Sequence, residues 1–187
     1  MRFLIFLPLL LIIMIMTGCA SYTPPNNVEF AVVDNIGDFC GTYKNQGISE
    51  KDDAPNRQIF YLSALIWNTP YMKSDASITM VTINRLDENS LTIKAIGKNG
   101  VEKEKIFVRG KDFELENGRI FLKSGWGVPL PIVGIGYKSS YLGLDLRKNG
   151  KFKERTTVAG LLALIFPIAL SVSGEVRFER IENPDVS

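Results

Sequence analysis

Apolar residues along this chain alternate with polar ones in some segments and run unbroken in others, and the two patterns predict different elements. From residue 76 onward alternation dominates. In "SLTIKAI" Leu91, Ile93 and Ala95 fall on one side and Thr92 and Lys94 on the other, the period of two expected of a half-buried strand. "GEVRFERI" repeats this near the C-terminus, with Val176 and Phe178 opposed to Glu175, Arg177 and Glu179. Between such runs Asn-Gly occurs at 99–100, 117–118 and 149–150, and this dipeptide suits the positive φ angles of tight hairpin turns. The expectation is a mainly β, single antiparallel meander domain, a barrel or half-barrel.

Side-chain pairing sharpens two of these hairpins. A two-residue loop at Asn117-Gly118 sets Leu115 against Ile120 and Phe113 against Leu122, with Glu116 against Arg119 and Asp112 against Lys123; each pair is compatible across strands. At 149–150 the same loop would put Phe152 against Arg147. A three-residue loop, Lys148-Asn149-Gly150 with left-handed Gly150, instead sets Leu146 against Phe152 and Asp145 against Lys153. A short helix is expected near 56–67, opened by Pro55, with Ile59 or Phe60, Leu62, Leu65 and Ile66 as its stripe. Residues 45 to 56 read as loop, and "VEFAVVD" as a strand or the end of a linker.

Two apolar segments fit neither period. "SGWGVPLPIVGIGY", residues 124 to 137, is rich in glycine, and it reads as a bent strand pair on the core or as the lining of an apolar pocket through Trp126, Val128, Leu130 and Ile132. "AGLLALIFPIAL", residues 159 to 170, lies in a stretch with no charge from residue 156 to residue 174. A hydropathy window would flag it as a span. Pro167 and the strand that follows oppose that, so a buried strand or a short helix ending before Pro167 is expected, with ligand or membrane-surface contact as the alternative. Trp126, Leu130, Ile132, Leu164 and Phe166 are the candidate ligand-binding residues.

The N-terminal run has a different meaning. Arg2, the apolar stretch to Met16 and the small residues behind it have the plan of a signal peptide. Met16-Thr17-Gly18-Cys19 resembles the lipobox of bacterial lipoproteins, with Met where Leu is usual. That resemblance implies cleavage before Cys19 and acylation of it, a stable anchor once two or more chains are buried. In lipoproteins of two-membrane bacteria the next residue sorts the protein, and Asp there retains it in the inner membrane; Ala20 therefore implies the periplasmic face of the outer membrane. The expected organisation is a signal peptide (1–18), a lipidated N-terminus and tether (19–37), a periplasmic β-domain (38–182) and a tail (183–187). Residues 20 to 27 alone would reach roughly 25 Å if extended.

Composition narrows the function classes. With Arg2 lost from 22 basic against 20 acidic residues, the mature chain is near neutral, and nothing suggests a nucleic-acid footprint. There is no histidine, which removes Ser-His and Cys-His nucleophile pairs and the commonest metal ligand. Asp52-Asp53 and Asp87-Glu88 read as solvated loop, and no phosphate-binding loop motif occurs. The reading is of a non-enzyme with no catalytic residues, metal or other cofactor. Cys40 has no internal disulfide partner once Cys19 is acylated, and a small buried hydrophobe is expected there.

Gly41-Thr42-Tyr43 after Phe39 resembles the G-x-W signature that opens the first strand of lipocalins, with Tyr in place of Trp. The resemblance implies a barrel around a ligand and casts Arg177 as the late arginine that caps the aromatic ring. The leading expectation is a lipid-anchored module that binds an apolar small molecule. The alternative is a protein-interaction lipoprotein, such as an envelope assembly factor, inhibitor or immunity partner.

Overall fold

The computed structural model describes residues 17–23, 27–49, 59–68, 76–122, 132–162 and 166–181. In chain order these form β1 (Thr17–Tyr22), a 3-10 turn (Ile36–Phe39), β2 (Gly41–Lys44), β3 (Gln46–Gly47), β4 (Phe60–Tyr61), α1 (Leu62–Trp67), β5 (Ile78–Arg85), β6 (Ser90–Gly97) and β7 (Gly100–Val108). Then follow β8 (Phe113–Glu116), β9 (Arg119–Leu122), β10 (Ile132–Leu144), β11 (Gly150–Leu162), β12 (Phe166–Phe178) and β13 (Arg180–Ile181). One sheet has the order β1-β12-β11-β10-β9-β8 and a second the order β13-β2-β5-β6-β7, with β3 and β4 paired beside them. The protein is mainly β and largely antiparallel meander, without a closed barrel among the described residues; β1 runs parallel to β12.

The core lies between the two sheets. Val81, Ile83, Leu91, Ile93 and Phe107 of the second sheet cluster with Phe113, Ile120, Leu142, Leu144, Phe152, Val176 and Phe178 of the first. Strand alternation is what delivers them: Leu91, Ile93 and Ala95 of β6 are buried while Thr92 and Lys94 stay partly exposed. Val176 and Phe178 are likewise buried on β12.

The middle hairpin has the expected register, with Leu115 opposite Ile120, Phe113 opposite Leu122 and Glu116 opposite Arg119. Asn117 at φ 50° and Gly118 at φ 73° make its turn. Lys123, expected opposite Asp112, lies outside the described residues. The Asn-Gly at 99–100 also closes a hairpin, with Gly97 opposite Gly100.

The hairpin at 149–150 differs from expectation. Leu142 faces Phe152, Leu144 faces Gly150, and Leu146 is exposed. Lys148, not Gly150, takes the positive φ. The Asp145 carboxylate explains this: its Oδ1 accepts from the Arg147 N–H at 2.8 Å and the Asn149 N–H at 2.9 Å. Such an Asx-type turn stabilises a longer loop than side-chain matching alone selects.

The helix begins later than expected. Phe60 and Tyr61 pair with Gln46 and Gly47 as a short ladder, Ile59 is exposed, and 51–58 lie outside the described residues. Tyr61 supplies no side-chain cap to α1. Buried Asn45 does so from a distance: its Oδ1 accepts from the Ser63 N–H at 2.8 Å while its Nδ2 donates to the Ile78 carbonyl at 3.0 Å.

The N-terminal segment is no free tether where it is described. Residues 17 to 22 form an edge strand on β12. Residues 27 to 33 lie on the first sheet, where Ala31 N–H donates to the Leu144 carbonyl at 2.8 Å. Val33 and Ile36 enter the core, so core packing begins before residue 38. Cys40 is partly exposed, not buried, because it caps the 3-10 turn at the surface.

Candidate functional site

Three long strands carry the feature of interest. β10, β11 and β12 are 13 residues each, about 40 Å at 3.3 Å per residue, whereas the second sheet's longest strand has 9. Each level of the ladder is a rung, from Leu144–Gly150–Phe178 at the base to Ile132–Leu162–Phe166 at the far end. At the base the face bearing Leu142, Leu144, Phe152, Val176 and Phe178 packs on the second sheet. Among the described residues the far rungs contribute nothing to that core cluster.

On the opposite face of the base, residues 27 to 31 lie across the sheet and lock a polar cluster. Lys151 Nζ, whose side chain is only 3% exposed, meets Glu175 at 2.8 Å, the Asn27 amide oxygen at 2.9 Å and the Val28 carbonyl at 2.7 Å. Lys153 reaches the other Glu175 oxygen at 2.8 Å. Burial alone would raise the Glu175 carboxyl, but hydrogen bonds from Lys151, Lys153 and Asn27 prevail and hold it at about 2. The Phe30 ring is sandwiched by cations, with Arg119 at 4.3 Å and Lys151 at 4.7 Å from its centroid. Glu175 is thus a fixed anion in a clamp, poorly suited to moving a proton.

Towards the far end the charges stop. Lys138 and Glu154 pair at 2.9 Å, and beyond them residues 132–137, 156–162 and 166–172 carry no charge. Yet large apolar side chains stay open to solvent there. On one face Ile135 is 69% exposed and Leu161 40%; on the other Leu170 is 37% and Val172 42%. Val158 on the second face is covered.

This changes the reading of residues 159 to 170. Their described parts are the facing ends of β11 and β12, a hairpin with a three-residue connection at 163–165, and the exposed Leu161 and Leu170 lie in it. A buried core strand or a helix was expected, because an uncharged run of this length reads locally as interior.

The candidate ligand residues divide accordingly. Trp126, Leu130 and Leu164 lie outside the described residues. Ile132 and Phe166 are brought onto one rung, both aligned with Leu162, at the end of the sheet away from the core. Cys19 lies on β1 beside Ser171, on the rung that continues through Thr157 to Tyr137.

At the other end of the fold, the aromatic that opens β2 has an arginine over it, but not the expected one. Arg180 stands 5.8 Å from the Tyr43 centroid and donates to the Cys40 carbonyl, whereas Arg177 pairs through its backbone with Ile48. The chain passes Glu179 before re-entering the second sheet as β13, which brings Arg180 beside Tyr43. Burial pushes the Tyr43 phenol up to about 12, against the lowering effect of Arg180, and its hydroxyl donates to the Phe39 carbonyl at 2.8 Å. A cavity here, lined by Phe39, Tyr43, Leu62, Ile83, Leu142 and Leu144, has a volume of about 10 Å³, room for one water.

Among the described residues no group of three or more His, Cys, Asp and Glu side chains is placed to hold a metal ion, and no helix is long and apolar enough to cross a membrane. Asp87 makes an ordinary turn, accepting from the Asn89 N–H at 2.7 Å. The Lys151 clamp, the Phe30 sandwich and Asn45 were not singled out from sequence. Their partners lie far away along the chain, up to 148 residues for Asn27 and Glu175, and no local signal marks them. Compared with family models, curated proteins and solved structures, the chain matches none of them.

Proposed function

We propose that this chain is a lipid-anchored, non-catalytic envelope protein, held at the periplasmic face of the outer membrane by acyl groups on Cys19, that works through a displayed apolar surface. The observation that carries the reading is the far half of β10–β12: uncharged rungs with Ile135, Leu161 and Leu170 open to solvent, and Val172 exposed on the Lys138 rung just below them, running alongside the strand that bears Cys19. Exposed apolar patches of this kind mark contact sites. At Tyr43 the cavity between the sheets, about 10 Å³, is too small for a small-molecule ligand, which needs roughly 300 Å³ or more.

The anchor is tested in cells. The full chain and Cys19→Ser are expressed with the native N-terminus, and membranes are washed with high salt. The wild-type protein is expected in the outer-membrane fraction with acylated Cys19 by mass spectrometry, and Cys19→Ser in uncleaved, inner-membrane form. An unmodified Cys19 in a chain that still sediments with membranes sinks the anchor reading. For the surface, native mass spectrometry of the detergent-extracted protein should show no co-purifying small molecule, and a stoichiometric one would restore the ligand reading.

A further inference from the structure

We propose that the far end of the β10–β12 sheet is a membrane wedge: a two-sided apolar blade that seats in the leaflet holding the acyl chains of Cys19, with the lipid bilayer as its partner. The proposal rests on the anchored reading above and assigns the occupant of the same surface.

The first argument is alignment. β1 runs parallel to β12, with Thr17 at Ala169 and Tyr22 at Gly174, so going back along β1 towards the N-terminus leads to the far end. A chain that starts at Cys19 therefore has its α-amino end, and an acyl group carried on it, leaving the strand in the direction in which the blade points. The rung of Cys19 is Ser171–Thr157–Tyr137, one step beyond Lys138, which pairs with Glu154. The last charges and the lipid attachment thus lie at nearly one level, and Tyr137, partly exposed, stands at that level as interfacial aromatics do.

Length is the second. From the Tyr137 rung to the Ile132–Leu162–Phe166 rung is five residues, about 17 Å. One leaflet is about 15 Å of hydrocarbon and roughly 20 Å with its headgroups, and a spanning strand needs about 9–11 residues. The blade therefore fits within one leaflet and is too short to cross. Among the described residues β9 covers the β10 edge only at Ser140, Tyr141 and Leu142, and an unpaired sheet edge is costly in hydrocarbon. That favours a shallow seat, among headgroups and the first methylenes.

Two-sidedness is the third. A strand lining a polar lumen alternates polar with apolar residues. Within the blade Ile135 and Leu161 on one face and Leu170 on the other are exposed, with Val158 beside Leu170 covered, so apolar side chains open to both sides, which suits a medium that surrounds the blade better than a partner that covers one side.

The test uses the full chain, extracted from membranes and reconstituted into vesicles of phosphatidylethanolamine and phosphatidylglycerol carrying a bilayer-confined, photoactivated carbene probe. Modified residues and the mass of the Cys19 peptide are read together by mass spectrometry. Label is expected on residues 132–137, 158–162 and 166–170 at about tenfold over β5–β7, and the Ile135→Asp/Leu161→Asp double variant should reduce it by roughly tenfold. Val101→Asp, an exposed position on β7, controls for added surface charge and should change nothing; circular dichroism checks that each variant is folded. Acylated Cys19 with an unlabelled blade overturns the wedge and leaves the anchor. Unmodified Cys19 with a labelled blade overturns the anchor, and with it the shared leaflet, and leaves lipid contact to the blade alone; neither signal overturns both. A blade that is unlabelled but cross-links to a second copy or another protein overturns the wedge in favour of a protein interface.

Discussion

β10, β11 and β12 are continuous strands with two environments. At the base, Leu142, Phe152, Val176 and Phe178 are at most 4% exposed, covered on one face by the second sheet and on the other by Phe30 and the Lys151–Glu175 clamp. At the far rungs Ile135 and Leu161 on one face and Leu170 on the other lie open, while Val158 is covered. Backbone pairing is unbroken through all 13 rungs of β10 with β11, so the contrast comes from what covers the sheet. One ladder is thus sealed into the folding core at one end and open at the other, and burial differs while secondary structure does not.

The contrast predicts a steep gradient of mutational cost along the strands. Phe152→Ala, at the base, should destabilise the protein by about 3–5 kcal/mol in urea titration, through lost burial and a cavity. A cost below 1 kcal/mol would mean the base is not the core. Next comes Lys151→Ala, which removes one of the two lysines on Glu175 and should cost about 2–3 kcal/mol. Lys153 remains to share the charge, which keeps the loss at the lower end.

The clamp also fixes the acid limit. The Glu175 carboxyl is held at about 2, below its ordinary value of 4.5. Its contribution is therefore fully present above about pH 4.5 and is lost as pH falls towards 2. Stability measured across that window should fall less steeply in Glu175→Gln, and an unchanged slope would show that the clamp does not set it.

A smaller effect is expected where residues 32 and 33 cross the β8–β9 turn. Gly118 has φ +73°, and a Cβ there would lie 2.5 Å from the Val33 backbone nitrogen. Gly118→Ala should cost about 1–2 kcal/mol and raise amide exchange around Val33. The smallest effect belongs to the far end. Leu161→Ser should change the stability of the detergent-extracted protein by less than about 0.5 kcal/mol while weakening vesicle contact, and a large loss would break the comparison by showing that the blade belongs to the core.

Sequence and structure agree most where the signal is local. The face of β6 bearing Leu91, Ile93 and Ala95, the Phe113–Leu122 register and the Val176/Phe178 face of β12 all follow from period-two alternation and one turn dipeptide. They part where a distant group intervenes: the Asp145 carboxylate lengthens a turn, Asn45 caps a helix across a loop, and a one-residue break at Glu179 puts Arg180 over Tyr43 in place of Arg177. Cys40, expected inside, sits at a partly exposed cap.

The amino-acid sequence by itself determined the β class, the hairpin rhythm and the lack of histidine chemistry, because periodicity, turn preference and composition act between neighbours. Only the tertiary structure decided that residues 159 to 170 are a hairpin with exposed apolar side chains, that its rungs align with Cys19, and that the base of the same strands is sealed. Hydrophobicity records how strongly a side chain prefers to leave water. Which side chains are covered depends on what packs over each sheet, and among the described residues only the base of β10–β12 shares the core cluster with the second sheet.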